Sequence, residues 1–235
     1  MAKKNRGNPL ALAVMVCLLE RPMHPYEVAT TLRQRVKHRS VRLNYGALYR
    51  VVDSLTKGGL IEPKEVERAG KLPERTVYKL TDAGRIEIND WLAELISTPT
   101  PEYPQFVAGL SFLAALPPDE VVDLLRQRLA NLTLEDAQAG AIREVVQKSG
   151  LPRLLWIEED YRDRVRVAEM DYVRALLRDI ESGDLDGAQW WRQAHEHGFD
   201  QVPPPFDPSQ VLDLQAQVTD AFPNSAFPID EEDQP

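Results

Sequence analysis

The chain has 235 residues, enough for one large domain or two modest ones, and its 43% hydrophobic content supports a packed core, which excludes a wholly disordered protein. Its single cysteine, Cys17, excludes an internal disulfide framework and a Cys-rich metal site and fits a reducing compartment; its expected role is that of a small buried apolar residue. The formal charge of −9 is unevenly divided: residues 1–90 hold 17 Lys/Arg against 10 Asp/Glu, net +7, and residues 91–235 hold 11 against 27, net −16. A polyanion partner is therefore admissible only at the front.

Residues 1–8 form a short basic arm with Lys3, Lys4 and Arg6. The apolar run Leu10–Leu19 is too short to span a bilayer. It follows basic residues, as a signal peptide would, but Glu20-Arg21 comes next with no small-residue cleavage site. A buried helix and a cytoplasmic protein are expected. Asn8 can cap that helix and Pro9 can start it, with Leu10, Ala11, Val14, Met15, Leu18 and Leu19 on a broad apolar face. Arg21-Pro22 ends it. Pro25 starts a second helix with Val28, Ala29, Leu32 and Val36 on one side. A third begins near Asn44, its residues Leu48, Val51, Val52 and Leu55 spaced i, i+3, i+4, i+7, and Gly58-Gly59 stops it.

Two β-rich runs follow, Leu60-Ile61-Glu62 with Val66 and then Thr76–Leu80, around the turn-rich Arg68–Pro73; they read as a hairpin with a loose tip. Thr81 or Asp82 caps a helix through Ile86, Ile88, Trp91 and Leu92. Residues 96–104 form a Pro-rich linker, residues 105–182 are helical, and residues 183–235 become polar, acidic and Pro-rich. The predicted fold class is mainly α: a winged helix-turn-helix DNA-binding domain over 1–95 with a small β-hairpin wing, then a helical, coiled-coil-like dimerisation domain over 105–182.

Three short helices before a hairpin is the winged form of the helix-turn-helix, whose third helix fits the DNA major groove. At 100° per residue the apolar stripe of that helix centres near Leu48, which puts Gly46, Arg50, Asp53 and Lys57 on the far side, flanked by Tyr45 and Tyr49. Gly46 lets the helix start approach a phosphate, which the helix N-terminus also favours. Arg50 can fork to a guanine edge or a phosphate. Between residues 31 and 57 there are seven Lys/Arg, including Arg33, Arg35, Lys37, Arg39 and Arg42, and one acid, Asp53. Lys71 and Arg75 sit at the wing. Taken singly, Arg50 reads equally well as a solvated charge, Tyr49 as a rim packer, and Arg33 or Arg35 as a partner for Glu27; the joint pattern points to DNA.

Met23-His24-Pro25-Tyr26-Glu27, Asn44-Tyr45-Gly46-Ala47-Leu48-Tyr49, Leu55, Gly58-Gly59-Leu60-Ile61, Pro73, Arg75 and Tyr78-Lys79-Leu80-Thr81-Asp82-Ala83-Gly84 resemble, over residues 9–95, the PadR-like transcriptional regulators. Residues 105–182 resemble the helical C-terminal region of the longer members. The resemblance implies a winged-helix repressor binding a pseudo-palindrome as a homodimer, with DNA contacts at Tyr45, Gly46, Tyr49 and Arg50 and a wing at Lys71 and Arg75. It also implies an effector or partner that changes the angle between the wings through the C-terminal helices. Two positions depart from the family pattern: Pro25 replaces the usual glycine, and the wing Gly-Lys-Leu-Pro-Glu-Arg is less basic than in many members.

In the back half, Val121, Val122, Leu125, Leu129, Leu132, Ile142, Val145 and Val146 mark one long helix, with a break expected near Thr133. Ile157, Tyr161, Val165, Ala168, Tyr172, Leu176 and Ile180 then form a seam suited either to a second subunit or to an ordinary intramolecular bundle. By the same resemblance, aromatic residues near the dimer interface line an effector pocket for small aromatic molecules. Trp91 and Trp156 are the candidates, and core packing is the competing role. His195 and His197, two apart on a helix, point to different faces and do not make a metal site. Residues 199–235 hold seven of the 18 prolines and read as a solvated tail, although Phe199, Phe206, Phe222 and Phe227 would let it lie along the body.

No P-loop, G-x-S-x-G, H-E-x-x-H or dinucleotide fingerprint is present, so neither catalysis nor a cofactor is expected. The expected partners are double-stranded DNA, a second copy of the chain and a small aromatic effector, with no membrane. The rival to this reading is a winged-helix scaffold that binds an acidic protein without specific DNA binding.

Overall fold

The structure is a computed structural model describing residues 6–37, 40–67, 75–205, 207 and 217. The chain divides into two compact units, Met1–Thr100 and Pro101–Pro235.

In the first unit, α1 (Pro9–Glu20) starts at Asn8, whose side chain accepts from the Leu10 N–H. Helix α2 (Pro25–Gln34) starts with a reciprocal cap: His24 Nδ1 accepts from the Tyr26 N–H at 3.1 Å, and Glu27 reaches back to the His24 N–H at 2.9 Å. Helix α3 (Tyr45–Lys57) is capped by Asn44, which accepts from the Ala47 N–H at 2.9 Å. It ends at Gly58; Gly59 then turns the chain at a φ of 70°, a left-handed conformation that glycine adopts without strain.

Strands β1 (Ile61–Glu67) and β2 (Arg75–Leu80) pair antiparallel, Ile61 opposite Leu80, with an irregularity between Pro63 and Glu65. On its other side β2 bonds Met23 through two 3.0 Å backbone contacts at Tyr78. β1 is therefore an edge strand, where Pro63 removes no ladder bond. The expected wing tip and its Lys71 lie outside the described residues. Helix α4 (Asp82–Ser97) is capped by Thr81, whose hydroxyl accepts from the Gly84 N–H at 3.0 Å. It runs two residues into the expected linker.

Helix α1 is central, packing against α2, α3, α4 and β2. Leu10, Val14, Met15, Val28, Leu48, Leu55, Ile61, Ile88 and Trp91 fill one continuous core. Burying each of the larger side chains contributes about 1.5–3 kcal/mol before entropy is charged. The run first weighed as an export signal is thus the middle of this core. Cys17 lies in it too, and burial pushes its thiol up to about 11.

Four apolar residues of the first unit, Leu19, Val36, Ile86 and Leu92, are exposed where periodicity puts them inside. Val36 lies beyond the end of α2, exposed and at a φ of 59°, because the Arg35 and Val36 N–H groups turn back onto the Thr31 and Arg33 carbonyls. Ile86 is exposed and Glu87 is buried in its place. Arg6 explains the exchange: it forks onto Glu87 at 2.7 and 3.2 Å and also bonds Glu94, so the buried carboxylate is paired. Arg6 is held still more firmly protonated by Glu87, then Glu94. The basic arm is in this part a clamp on α4.

The second unit opens with α5 (Gln105–Ser111) and a short 3-10 turn at Leu113–Ala115. Then come α6 (Pro118–Lys148) and α7 (Ile157–Ser182), which pack as an antiparallel pair, with Arg126 bonding Glu181, Arg128 bonding Glu169 and Arg143 bonding Asp163 along their length. Helix α6 is unbroken at Thr133; the hydroxyl donates to the Leu129 carbonyl at 2.7 Å, inside the helix's own hydrogen-bond ladder. Burial opposes ionisation of Asp163, but hydrogen bonds from Arg143 and Arg166 outweigh it and hold its carboxyl below the usual range.

The C-terminal extension is not all tail. Helix α8 (Ala188–His197) buries Trp191 against Val121, Val122, Leu125, Val173, Leu177 and Ile180. The Trp191 indole donates to the Leu116 carbonyl at 2.8 Å, Arg192 to the Ile180 carbonyl at 3.0 Å, and His195 Nε2 lies 2.9 Å from the Ala114 carbonyl. These carbonyls lie in and just after the 3-10 turn and in the last turn of α7, where helix geometry supplies few or no N–H partners. Phe199 packs edge-on to Trp190 and His195, as the tail's aromatic content led one to expect; Phe206, Phe222 and Phe227 lie outside the described residues.

Gly84 is the tightest point of the first unit. A Cβ there would lie 2.2 Å from the Leu60 carbonyl oxygen and 2.6 Å from Leu80 Cδ1. Gly84→Ala should therefore destabilise the protein by about 1–3 kcal/mol, as overpacking against backbone does. Chemical denaturation checks this, and an unchanged midpoint would mean that α4 does not press on Leu60 and Leu80 as described.

Candidate nucleic-acid interface

The interface is built on α3. Leu48, Val51, Val52 and Leu55 are buried, which fixes the rotation of the helix about its axis. Gly46, Tyr49, Arg50, Asp53 and Lys57 are consequently exposed, and Tyr45 borders them. Among the described residues no ion pair engages Arg42, Arg50 or Lys57. These cations stand in solvent with their donors free.

The remaining predicted bases divide. Arg35 is taken up by Glu20, with Nη2 at 2.7 Å from Oε2, a pairing that holds Glu20 below its ordinary range. Glu27 pairs with Arg21 at 3.4 Å, not with Arg33 or Arg35. Arg33 instead donates to the Tyr45 hydroxyl at 2.6 Å. Arg39 and Lys71 lie outside the described residues, and of Arg75 only its place at the start of β2 is described.

Gly46 is informative by what does not touch it. A Cβ there would meet only Asn44 Oδ1, at 3.5 Å, an ordinary contact, and its φ is not in the left-handed region. Nothing in the fold demands glycine at this position. Gly84, by contrast, is required by packing.

The sequence reading missed Tyr26, whose ring lies 6.3 Å from that of Tyr45 and within 11° of parallel. The signal was present in the Met23–Glu27 motif, but the alternation of a helix face does not reveal a contact between two helices.

The two tryptophans belong to different units. Trp91 is 2% exposed in the first unit's core, where packing accounts for it. Trp156 immediately precedes α7 in the second unit, its indole donating to the Leu151 carbonyl at 3.3 Å. On α7, Ile157, Tyr161, Val165, Ala168 and Tyr172 are exposed, with Tyr161 at 70%. Leu176 packs partly against the intramolecular core, and Ile180 lies within it. The residues α7 buries are Met170, Val173, Leu177 and Ile180. The predicted seam steps by more than 3.6 residues on average, so from Ile157 to Ile180 it precesses about 140° around the helix, from the outer face to the inner one.

Among the described residues no cluster of His, Cys, Asp or Glu suits a metal, and no helix is long and apolar enough to cross a membrane.

Comparison with known proteins agrees with this geometry. No curated protein matches the chain. By structure it is similar to Bacillus subtilis PadR in complex with operator DNA, at 20% identity and a TM-score of 0.60, over 74% of this chain and 99% of that one. It is similar to Bacillus subtilis PadR in complex with p-coumaric acid, at 18% identity and a TM-score of 0.58, over 73% and 94%. It is also similar to the Vibrio cholerae virulence activator AphA, at 16% identity and a TM-score of 0.56, over 74% and 98%. At these identities the likeness is one of fold. Residues 14–90, which include α2, α3, both strands and most of α1 and α4, match the Transcriptional regulator PadR-like family. The first unit of this chain thus has a winged-helix fold, and residues 14–90 of it are similar to the PadR-like family of transcriptional regulators.

Proposed function

We propose that this chain is a DNA-binding transcriptional repressor of the cytoplasm, acting as a homodimer on a pseudo-palindromic operator and blocking the promoter it occupies. The observation that carries the reading is the outer face of α3, where Arg50 and Lys57 stand exposed and unpaired among the described residues, opposite the buried Leu48–Leu55 stripe. A groove about one helix wide accepts such a rod, and free guanidinium and ammonium groups replace the counterions of its phosphates. Tyr45 and Tyr49 flank the contact, and Arg42 extends it; Arg39, Lys71 and Arg75 are assigned to it from sequence. Gly46 supports the same reading: glycine is not needed for packing there, and its smoothness serves an approaching backbone. The PadR structure with operator DNA supplies a fold-level precedent.

The dimer follows from the need to read two half-sites and from the apolar residues of α7 that the second unit leaves outside. Release by a small aromatic effector is proposed by likeness to PadR with p-coumaric acid. Trp156 is the accessible aromatic for that role.

Selection of bound fragments from random duplex DNA gives the operator and its half-site spacing. On that operator, affinity should fall steeply with salt, by about one log-log unit per phosphate contact. Binding that is flat in salt would favour a protein-binding scaffold. Arg50→Ala should cost about 1–3 kcal/mol in operator binding and relax base preference at one position; unchanged affinity and preference remove Arg50 from the interface. Gly46→Ala separates fold from function. It should raise stability by about 0.5–1 kcal/mol, because alanine suits a helix better than glycine does, yet weaken DNA binding. Retained affinity would show that nothing approaches α3 at that point.

For the dimer, Tyr161→Asp combined with Val165→Asp places charge on exposed positions and should give a folded monomer in sedimentation. A dimer that survives both changes places the interface elsewhere.

A further inference from the structure

Tyr26, Arg33 and Tyr45 form a cluster where α2 meets the start of α3. The two tyrosine rings lie nearly parallel, centroids 6.3 Å apart. Arg33 Nη1 donates to the Tyr45 hydroxyl at 2.6 Å, and the guanidinium carbon sits 4.7 Å from the Tyr45 ring centroid. All three residues are exposed, and no carboxylate among the described residues neutralises Arg33. Its neighbours differ: Arg35 is bound by Glu20 and Arg21 by Glu27.

Donor accounting shows what the cluster can recognise. The Tyr45 oxygen accepts a hydrogen bond from Arg33, so its own O–H is free to point elsewhere. Arg33 uses one N–H on Tyr45 and keeps the rest of its fork. The pair thus offers hydroxyl and guanidinium donors around an uncompensated positive charge. A guanine edge offers two acceptors without charge and other base edges include donors or a methyl group, whereas a phosphodiester presents acceptors and a negative charge together. Tyr26 stacks on Tyr45 and limits its rotamers, so less freedom is lost when a ligand is gripped. Tyr45 is the first residue of α3, and Arg50 lies about 7.5 Å further along the axis.

Building on the DNA-binding reading above, we propose that Arg33 and Tyr45 jointly grip one backbone phosphate of the operator and that Tyr26 is a positioning residue for that grip. The contact sets where along the groove α3 comes to rest, and Arg50 then reads from that register.

The test uses the full chain and two duplexes, the operator obtained by selection and a scrambled one, with affinity measured by fluorescence anisotropy across a KCl series. Arg33→Ala should weaken binding to both duplexes by the same factor and make the log-log salt slope shallower by about one. Arg33→Lys should keep the wild-type slope and recover only part of the affinity, since an ammonium retains the charge without the fork. Tyr26→Ala should weaken binding with no change of slope, and Tyr26→Phe, which keeps the ring, should restore it. An Arg33→Ala variant with wild-type slope and affinity overturns the proposal. So does one that loses operator binding alone, because that is the signature of a base contact. If the wild type itself shows no salt-dependent binding to either duplex, the DNA-binding reading fails and the phosphate grip fails with it.

Discussion

Burial of one side of α3 against α1 is the constraint from which the rest of the first unit follows. Leu48, Val51, Val52 and Leu55 are held by α1 and by the start of the hairpin, and a helix pinned along one stripe has no freedom to rotate. Everything opposite is then displayed by geometry alone: Gly46, Tyr49, Arg50 and Lys57 are outside because the leucines and valines are inside. The wing and α4 reinforce this by closing on the same core, with Gly84 pressed against the Leu60 carbonyl. Shape is provided by the apolar residues and chemistry by the polar ones, and the two sets share a single helix.

Charge is disposed with the same economy. The front of the chain carries an excess of cations, but several are absorbed locally: Arg6 by Glu87 and Glu94, Arg35 by Glu20, Arg21 by Glu27. Those left over on described residues are Arg42, Arg50 and Lys57 along and just before α3, Lys64 on β1 and Arg85 on α4, with Arg33 held by a tyrosine. A count of basic residues therefore overstates the field and misplaces it. The effective patch is what remains after pairing.

Most of the first unit was legible because its signals are local. Caps at Asn8, Asn44 and Thr81, the apolar spacing of α3 and the glycines after it each act within a few residues, and the structure realises each of them. What could not be read depended on partners far along the chain. Glu87 is buried only because Arg6 reaches it from 81 positions away. Tyr26 and Arg33 matter only because α2 delivers them to Tyr45. In the second unit the apolar residues of α7 were identified, but their spacing blended two faces: the residues that meet α6 and α8 and those left outside differ by a slow rotation that no single stripe describes. The expected break at Thr133 failed for a simpler reason: a hydroxyl that bonds its own helix does not interrupt it. The function of the displayed residues is a separate matter from their display, and rests on the chemistry of free donors.

Helix α8 has a consequence for the order in which the molecule is made. The first unit holds all its core partners by about residue 97, and so can close while the rest of the chain is still being synthesised. The second unit cannot. The donors that satisfy the Leu116, Ala114 and Ile180 carbonyls come from Trp191, His195 and Arg192, some eighty residues downstream in two cases. Until those residues emerge, the Ala114 and Leu116 carbonyls lack these donors and the α6–α7 pair has an uncovered apolar end. A nascent chain therefore acquires its winged helix early and its second unit late, and any association between copies through the second unit must wait until α8 has been made.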